Sequence, residues 1–366
     1  MSTQITPPGR LTGNPPAAPR GRDSNLELYR IIVMLLIVAH HYVVNSGLSG
    51  KIIDYPFAPV SCAMLLFGAW GKTGINCFVL ITGWFMCRST FKWQKFIKLY
   101  AQIIFYAVII YAVFCITGHE TFSLTGALYK LLPVKSIADG FTSCFLVFYL
   151  CIPFINILLQ NMNKKQHQAL ALLLLCVFTI LPSFPRFRIS FNYVEWFIVL
   201  YIFAAYMRNY GADLKISHSA WGWIALAGIF AASASVLILF ALYKYGYMHN
   251  FIGYFFVSDS NKILALFVAL ASFMWFKDLH IPQSRFINAV GGATFGVLLI
   301  HANSDAMRQW LWRETVDCTG HFSDNLPWTL GYAAAAVLTV FIVCAGIDWI
   351  RGKLIDEHIN KMSSRK

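Results

Sequence analysis

Residues 27–42 read ELYRIIVMLLIVAHHY, an apolar run with ionisable side chains near both of its ends. The surrounding apolar segment, from about Leu28 to Leu48, is long enough to cross a bilayer as a helix, which takes about 20 residues. Ionisable groups inside such a segment are costly in lipid, so they usually face a protein interior and mark function. The stretch therefore predicts a first membrane-spanning helix that carries functional polar groups.

The polar groups of this helix are predicted to share one face. Arg30 and His41 are eleven residues apart, which brings their directions to within about 20° and separates them by about 16 Å along the axis. Glu27 points within about 40° of His41, whereas His40 points about 100° away from it. One face thus carries a carboxylate, a guanidinium and an imidazole.

The whole chain has the composition of a membrane protein. Of its 366 residues, 58% are hydrophobic and 12% are charged, and the charged fraction is about half that of a soluble domain. Repeated apolar runs predict an all-α, polytopic integral membrane protein with about ten transmembrane helices. The predicted spans lie at about 28–48, 65–86, 93–116, 140–162, 168–184, 190–208, 219–243, 261–279, 286–304 and 329–350.

The two ends of the chain are predicted to be cytoplasmic. Residues 1–24 are polar and rich in Pro and Gly, which predicts a disordered tail; no short apolar stretch follows their arginines, so they do not resemble a signal peptide. Residues 25–352 form the predicted transmembrane domain, and residues 353–366 form a second tail. This orientation puts most of the 29 basic residues in the cytoplasm, as the positive-inside rule expects. The expected localisation is the cell membrane.

The net charge of +13 is attributed to topology, because Lys and Arg cluster beside apolar runs, as at Arg88 and Lys92. The expected partner is therefore the lipid bilayer, and nucleic acid is not expected. The nine cysteines show no metal-binding spacing, so no metal is expected. Cys62 and Cys318 are the two cysteines expected to be exposed, and whether they form a disulfide is left open.

Several stretches resemble the acyltransferase-3 family of multi-pass membrane O-acyltransferases. The first span has that family's Arg, ten intervening residues and His, at Arg30 and His41. GINCFVLITGWFM (74–86) resembles its glycine-led second helix, with Thr82 where Ser is common. ATFGVLLIH (293–301) resembles its Phe-Gly and Leu-Ile-His stretch and ends at His301, and FLVFYLCIPFIN (145–156) is also similar. Around Glu195, however, NYVEWF does not align cleanly with the family's mid-chain Trp and Glu stretch.

The resemblance implies transfer of an acyl group, with acetyl expected, from acyl-CoA to a hydroxyl of a cell-envelope carbohydrate. No bound cofactor is implied, since acetyl-CoA or another acyl-CoA is a co-substrate. Arg30 would contact phosphate or carbonyl groups of the donor. His41 would act as general base towards a sugar hydroxyl or would carry the acyl group. These two are the predicted catalytic residues, and the further candidates for lining the site are Glu27, His40, Asn76, Thr82, Glu195 and His301.

Other interpretations stay open at this stage. A transporter or flippase for a lipid-linked sugar or envelope precursor would also have about ten spans, together with inverted repeats and broken helices near the midplane. An envelope glycosyltransferase would need an acidic base, for which Glu120, Asp139 and Asp259 are candidates. Asn76 and Thr82 could simply bridge helices by hydrogen bonds, and Lys72 and Glu195 could extend from span ends to water.

Overall fold

The computed structural model describes residues 22–56, 58–132, 140–184, 187, 189–249 and 253–356. Within these ranges the chain is helical and has no strand, which confirms the all-α class. The α-helices are α1 Ser24–Val44, α2 Leu48–Asp54, α3 Pro59–Gly68, α4 Gly71–Met86, α5 Trp93–Ile116, α6 Leu124–Leu131, α7 Phe141–Gln160, α8 Lys164–Leu175, α9 Tyr193–Tyr210, α10 His218–Lys244, α11 Ile263–Phe276, α12 Arg285–His301, α13 Asp305–Gln309 and α14 Leu326–Arg351. π-helical segments continue α8, α13 and α14 over Cys176–Ile180, Trp310–Thr315 and Gly352–Asp356, and short 3₁₀ segments occupy Leu181–Ser183 and Gly211–Leu214.

Seven helical segments of the described chain are long and apolar enough to cross a membrane. An eighth is added if α12 and the segment Asp305–Thr315, which meet at a bend of 97°, count as one span. A multi-pass membrane protein is therefore confirmed, whereas the count of about ten is not. The seven are Ser24–Val44, Pro59–Met86, Trp93–Ile116, Phe141–Gln160, Lys164–Ser183, His218–Lys244 and Leu326–Ile355.

Each of the ten predicted spans does contain a helix, and the shortfall has two physical sources. α11 has 14 residues, a length of about 21 Å against an apolar layer of about 30 Å. α9 carries both Glu195 and Arg208 and is not among the seven segments. Each apolar run in the sequence thus correctly predicted a helix. It did not establish whether that helix crosses the bilayer.

α1 lies inside the helix bundle and packs against α3, α4, α12 and α14. Met34, Val38 and Val43 on α1 are fully buried. Glycines allow this close packing, because a Cβ at Gly74 of α4 would lie 2.8 Å from Cγ1 of Ile37. The polar side chains of α1 are therefore held among other helices and do not point into lipid.

The outward faces of the other long helices are apolar and exposed. Phe154 of α7 is 73% exposed and Phe230 of α10 is 75% exposed. Lipid tails are as apolar as these side chains, so such faces are stable in a bilayer although they would not be in water. The pattern fits a bundle whose outer surface contacts lipid.

The described cysteines, nine in all, are free thiols, so Cys62 and Cys318 form no disulfide. The expectation that both are exposed is wrong: Cys62 is half-buried, and Cys318 is 1% exposed because it lies against Tyr42 of α1. Burial raises the pKa of the Cys318 thiol to about 12. Of the predicted tails, residues 1–21 and 357–366 lie outside the described residues.

Candidate active site

His41 of α1 and His301 of α12 form a hydrogen-bonded pair. Nδ1 of His41 lies 2.9 Å from Nε2 of His301, and Nδ1 of His301 lies 2.6 Å from the carbonyl oxygen of Val297. Because a carbonyl oxygen can only accept, Nδ1 of His301 carries a proton, and in the neutral ring its Nε2 is an acceptor. His41 then donates from Nδ1, which leaves the lone pair on its Nε2 available. The pair thus fixes which nitrogen of His41 can accept a proton.

The two histidines meet because α1 and α12 pack side by side and both end near this point. His41 lies in the last turn of α1, and His301 is the last residue of α12, just before the 97° bend. Nδ1 of His301 donates to the carbonyl oxygen of Val297, which lies four residues earlier in the same helix. His301 is fully buried, and the T-shaped contact of its ring with Trp312 encloses it further.

A cavity of about 520 Å³ lies beside the histidine pair; it is called the His41 cavity below. Its volume is within the range of small-molecule sites. Residues of α1, α4, α5, α6, α7, α9, α12 and α13 contribute to its wall. Its polar lining includes His40, His41, Lys72, Tyr129, Lys130, Thr142, Ser143, Tyr193, Asn303 and Arg308.

Two of the polar groups in this wall are held in place by hydrogen bonds. His40 donates from Nδ1 to the carbonyl oxygen of Gly68 at 2.6 Å, which satisfies a carbonyl at the end of α3. Lys72, on the first turn of α4, donates from Nζ to the hydroxyl of Tyr193 at 2.8 Å. The ammonium group of Lys72 therefore stays at the cavity wall and does not extend away to water.

A second cavity, of about 320 Å³, lies at the Arg30 end of α1 and is called the Arg30 cavity. Three cationic side chains line it: Arg30, Lys95 and Lys98. Its remaining wall is formed by Phe78, Thr82, Leu99, Gln102, Phe145, Gly291, Gly292, Thr294 and Phe295. Phe78 of α4 also lines the His41 cavity, so this side chain belongs to the walls of both cavities.

Glu27 orients Arg30 although it lines neither cavity. Oε1 of Glu27 accepts from Nη1 of Arg30 at 3.2 Å, and Oε2 accepts from Arg22 at 3.5 Å. Glu27 is buried, with 5% of its surface exposed. Its two guanidinium partners offset the negative charge of the buried carboxylate. Gly291 of α12 is needed beside it, because a Cβ there would lie 2.5 Å from Oε2 of Glu27.

Asp348 of α14 forms a polar cluster that the sequence analysis missed. Its Oδ1 accepts from Nε of Arg351 at 2.8 Å, from Nε2 of Gln102 at 2.9 Å and from the hydroxyl of Tyr106 at 2.9 Å. Asp348 is 4% exposed. Since Gln102 lines the Arg30 cavity, Asp348 fixes one wall of that cavity. The spacing of Asp348 and Arg351, three residues apart, was the available signal in the sequence, because side chains with this spacing are neighbours on a helix.

The structure brings some of the predicted site residues together and keeps others apart. His40 and His41 line the His41 cavity with His301 directly behind them, and Arg30 and Thr82 line the Arg30 cavity. Thr82 also donates to the carbonyl of Phe78 at 3.0 Å.

Asn76 and Glu195 line neither cavity. Asn76 is fully buried, donates to the carbonyl of Ser260 at 2.6 Å and accepts from the Trp196 indole at 2.8 Å. Glu195 is exposed and accepts from the backbone N–H of Asn192 at 3.1 Å, which completes a capping box at the start of α9. Both positions thus have structural partners.

The described carboxylates among those considered for glycosyl transfer lie away from both cavities. Glu120 and Asp259 line neither of them, and Asp139 lies outside the described residues. Among the described residues no group of three or more His, Cys, Asp and Glu side chains could hold a metal ion. The cationic residues that the sequence analysis missed in the His41 cavity are Lys130 and Arg308, and it assigned Lys72 no role there.

Comparison with known proteins identifies the family of the chain. The model of a family described as an acyltransferase domain, acyltransferase-3, matches residues 23–347, nearly the whole chain. No curated protein and no solved structure matches the chain. The match includes both His41 and His301, as well as Arg30 and all the helices that form the two cavities. The chain therefore belongs to the acyltransferase-3 family and is a membrane acyltransferase.

Proposed function

We propose that the protein transfers an acyl group, acetyl in the simplest case, from acyl-CoA to a hydroxyl group of a cell-envelope carbohydrate. The observation that carries this proposal is the His41–His301 pair at one cavity, which shares the Phe78 side chain with a second, cationic cavity. A reaction between two substrates needs two binding spaces that meet at the reacting atoms. The Phe78 side chain, which belongs to the walls of both cavities, supports such a relation.

The Arg30 cavity suits the donor. Acyl-CoA carries phosphate groups, and a guanidinium held by Glu27 offers them a fixed pair of donors. Lys95 and Lys98 add positive charge on neighbouring positions of α5. Gly291 of α12 leaves room for the Glu27 carboxylate that orients Arg30, because a Cβ there would lie 2.5 Å from Oε2 of Glu27. In the proposed orientation, with both termini in the cytoplasm, Arg30 lies near the cytoplasmic end of α1, on the side of the membrane that supplies acyl-CoA.

The His41 cavity suits the acceptor. A hydroxyl bound there gives its proton to Nε2 of His41 while its oxygen attacks the thioester carbonyl carbon. The carbon–sulfur bond breaks, and the coenzyme A thiolate takes the proton back from His41, so that the products are an ester and a free thiol. General-base catalysis of this kind contributes about 10²–10⁴-fold to a rate. Direct transfer in this scheme forms no acyl-histidine.

His301 acts through His41. Its Nε2 keeps the proton of His41 on Nδ1, which leaves Nε2 of His41 free to accept the proton of the acceptor. When His41 becomes an imidazolium, the same hydrogen bond becomes charge-assisted and therefore stronger. His301 is thus a positioning residue and His41 is the base.

Analysis of O-acyl groups in the cell envelope tests the proposal. A strain that lacks the protein is complemented with the wild type, with His41→Ala or with His218→Ala, whose imidazole is exposed on α10 and lines neither cavity. We expect wild type and His218→Ala to restore the same O-acyl groups and His41→Ala to restore none. Unchanged acylation by His41→Ala, present in the membrane at the normal level, would overturn the assignment of His41.

A further inference from the structure

We propose that the acceptor carries an anionic group, a carboxylate or a phosphate, which Lys72, Lys130 and Arg308 bind in the His41 cavity. The inference rests on the proposed function, since it names the substrate class of the same cavity. The three cations come from three different helices, α4, α6 and α13, and converge on one space. Neither composition nor the family match assigns them a role.

The charge of the cavity wall is one-sided. Among the lining residues that the structure describes there is no Asp or Glu, while three side chains are cationic. Lys72 and Lys130 form no ion pair with a carboxylate of the described chain; Lys72 bonds the Tyr193 hydroxyl, and Lys130 lies 5.2 Å above the Tyr111 ring. Arg308 pairs with Asp305, whose side chain is 86% exposed. This exposed carboxylate compensates the cavity only weakly, because water screens it.

Topology does not account for these cations. With the termini in the cytoplasm, the His41 end of α1 lies towards the outer face, where the positive-inside rule disfavours Lys and Arg. Like charges around a cavity inside the helix bundle repel one another, and a bound anion removes that repulsion. An anionic ligand therefore gives the three side chains a physical reason to face the same space.

The position of the cations also sets which part of the acceptor is recognised. Because Lys72, Lys130 and Arg308 share the cavity with His41, the anion and the reacting hydroxyl must belong to the same sugar or to adjacent units. Lysine binds carboxylate and phosphate alike as a point charge. A uronic acid and a sugar phosphate both have the required chemistry.

Binding can be measured without turnover. The purified full-length protein is heated in detergent, without acyl-CoA, in the presence of glucose plus sodium acetate, sodium glucuronate or glucose 1-phosphate at equal ionic strength. A ligand that binds the folded state raises the melting temperature. We expect half-maximal stabilisation by at least one of the two anionic sugars at a concentration about tenfold or more below that of glucose, as one charged hydrogen bond implies. The sugar with the stronger effect identifies a carboxylate or a phosphate.

Two variants tie the effect to this cavity. Lys72→Gln is expected to remove the preference for the anionic sugar, whereas Lys51→Gln, at an exposed position on α2 outside the cavity, is expected to keep it. Arg308→Gln serves the same purpose if Lys72→Gln does not fold. Equal effects of the three sugars on the wild type, including no effect from any of them, would overturn the inference. A preserved preference in the folded cavity variant would overturn it too.

Acyl transfer is measured separately with the same preparations. Anion-dependent stabilisation in a protein that transfers no acyl group would refute the proposed function and leave the anion site. Acyl transfer by a protein that shows no preference for an anionic sugar would support the proposed function and overturn the anion site.

Discussion

Replacement of His301 by Phe tests how His41 is activated. Phe keeps a ring in the fully buried position but removes Nε2, to which Nδ1 of His41 donates at 2.9 Å. A hydrogen bond to a charged group, here the imidazolium formed during transfer, contributes about 1.5–3 kcal/mol. That energy corresponds to a loss of about 10- to 150-fold in kcat. Because His301 does not line the cavity, KM for either substrate should change little.

Initial rates of acyl transfer by purified protein in vesicles, with acyl-CoA and acceptor varied in turn, separate kcat from KM. His301→Gln is the conservative variant, because its amide oxygen can accept from His41, and it should keep more activity than His301→Phe. His167→Phe is the structural control. His167 is 1% exposed, its Nε2 donates to the carbonyl of Ile202 at 3.1 Å, and it lines neither cavity.

His167→Phe loses one buried hydrogen bond and His301→Phe loses two, each worth about 1 kcal/mol of stability, so both should melt at a lower temperature, His301→Phe more so. Only His301→Phe should lose turnover. The reasoning is refuted if folded His301→Phe keeps the wild-type kcat, or if His167→Phe slows the reaction to the same degree.

Three further substitutions test the Arg30 cavity. Arg30→Lys removes the paired donors of the guanidinium and should raise KM for acyl-CoA about tenfold, which initial rates at varied acyl-CoA will check; an unchanged KM would exclude Arg30 from donor binding. Gly291→Ala places a Cβ 2.5 Å from Oε2 of Glu27 and should raise the same KM, whereas Gly331→Ala, with nothing within 4 Å of its Cβ, should not. Asp348→Ala removes a buried carboxylate with three hydrogen-bond donors and should destabilise the fold by about 3–5 kcal/mol. Thermal unfolding measures that loss, and a melting temperature equal to that of the wild type would contradict the structural role of Asp348.

The first helix shows how far sequence reasoning reaches. Its length, its apolar character and the common face of Arg30 and His41 all follow from the geometry of one helix, which needs no knowledge of neighbours. α1 does run from Ser24 to Val44, and its two ends contribute to two cavities. Within one helix, local geometry is enough.

Contacts between helices were harder to predict. His41 and His301 are 260 residues apart, and their hydrogen bond depends on how α1 and α12 pack. The motif resemblance made His301 a candidate, but it did not give the direction of its ring. Lys72, Lys130 and Arg308 lie on separate helices, so their convergence on one cavity has no signature in any single stretch of sequence.

The number of membrane spans could also not be predicted from the sequence alone. An apolar run predicts that a segment avoids water, and both a short buried helix and a full span satisfy that condition. α11 is such a short helix, and the chain after α12 bends by 97° at a point where the sequence suggested a plain span end.

The essential role assigned to His41 is to promote formation of a new acyl ester between substrates held in the two cavities. The most direct measurement uses sealed vesicles containing the full-length protein, with isotopically labelled acetyl-CoA and the envelope carbohydrate acceptor, and follows the label into alkali-labile ester on the acceptor. We predict ester formation by the wild type and a rate at least about 100-fold lower for folded His41→Ala. Movement of the acceptor across the membrane without a new ester would indicate transport, and ester formation by His41→Ala at the wild-type rate would contradict this role of His41.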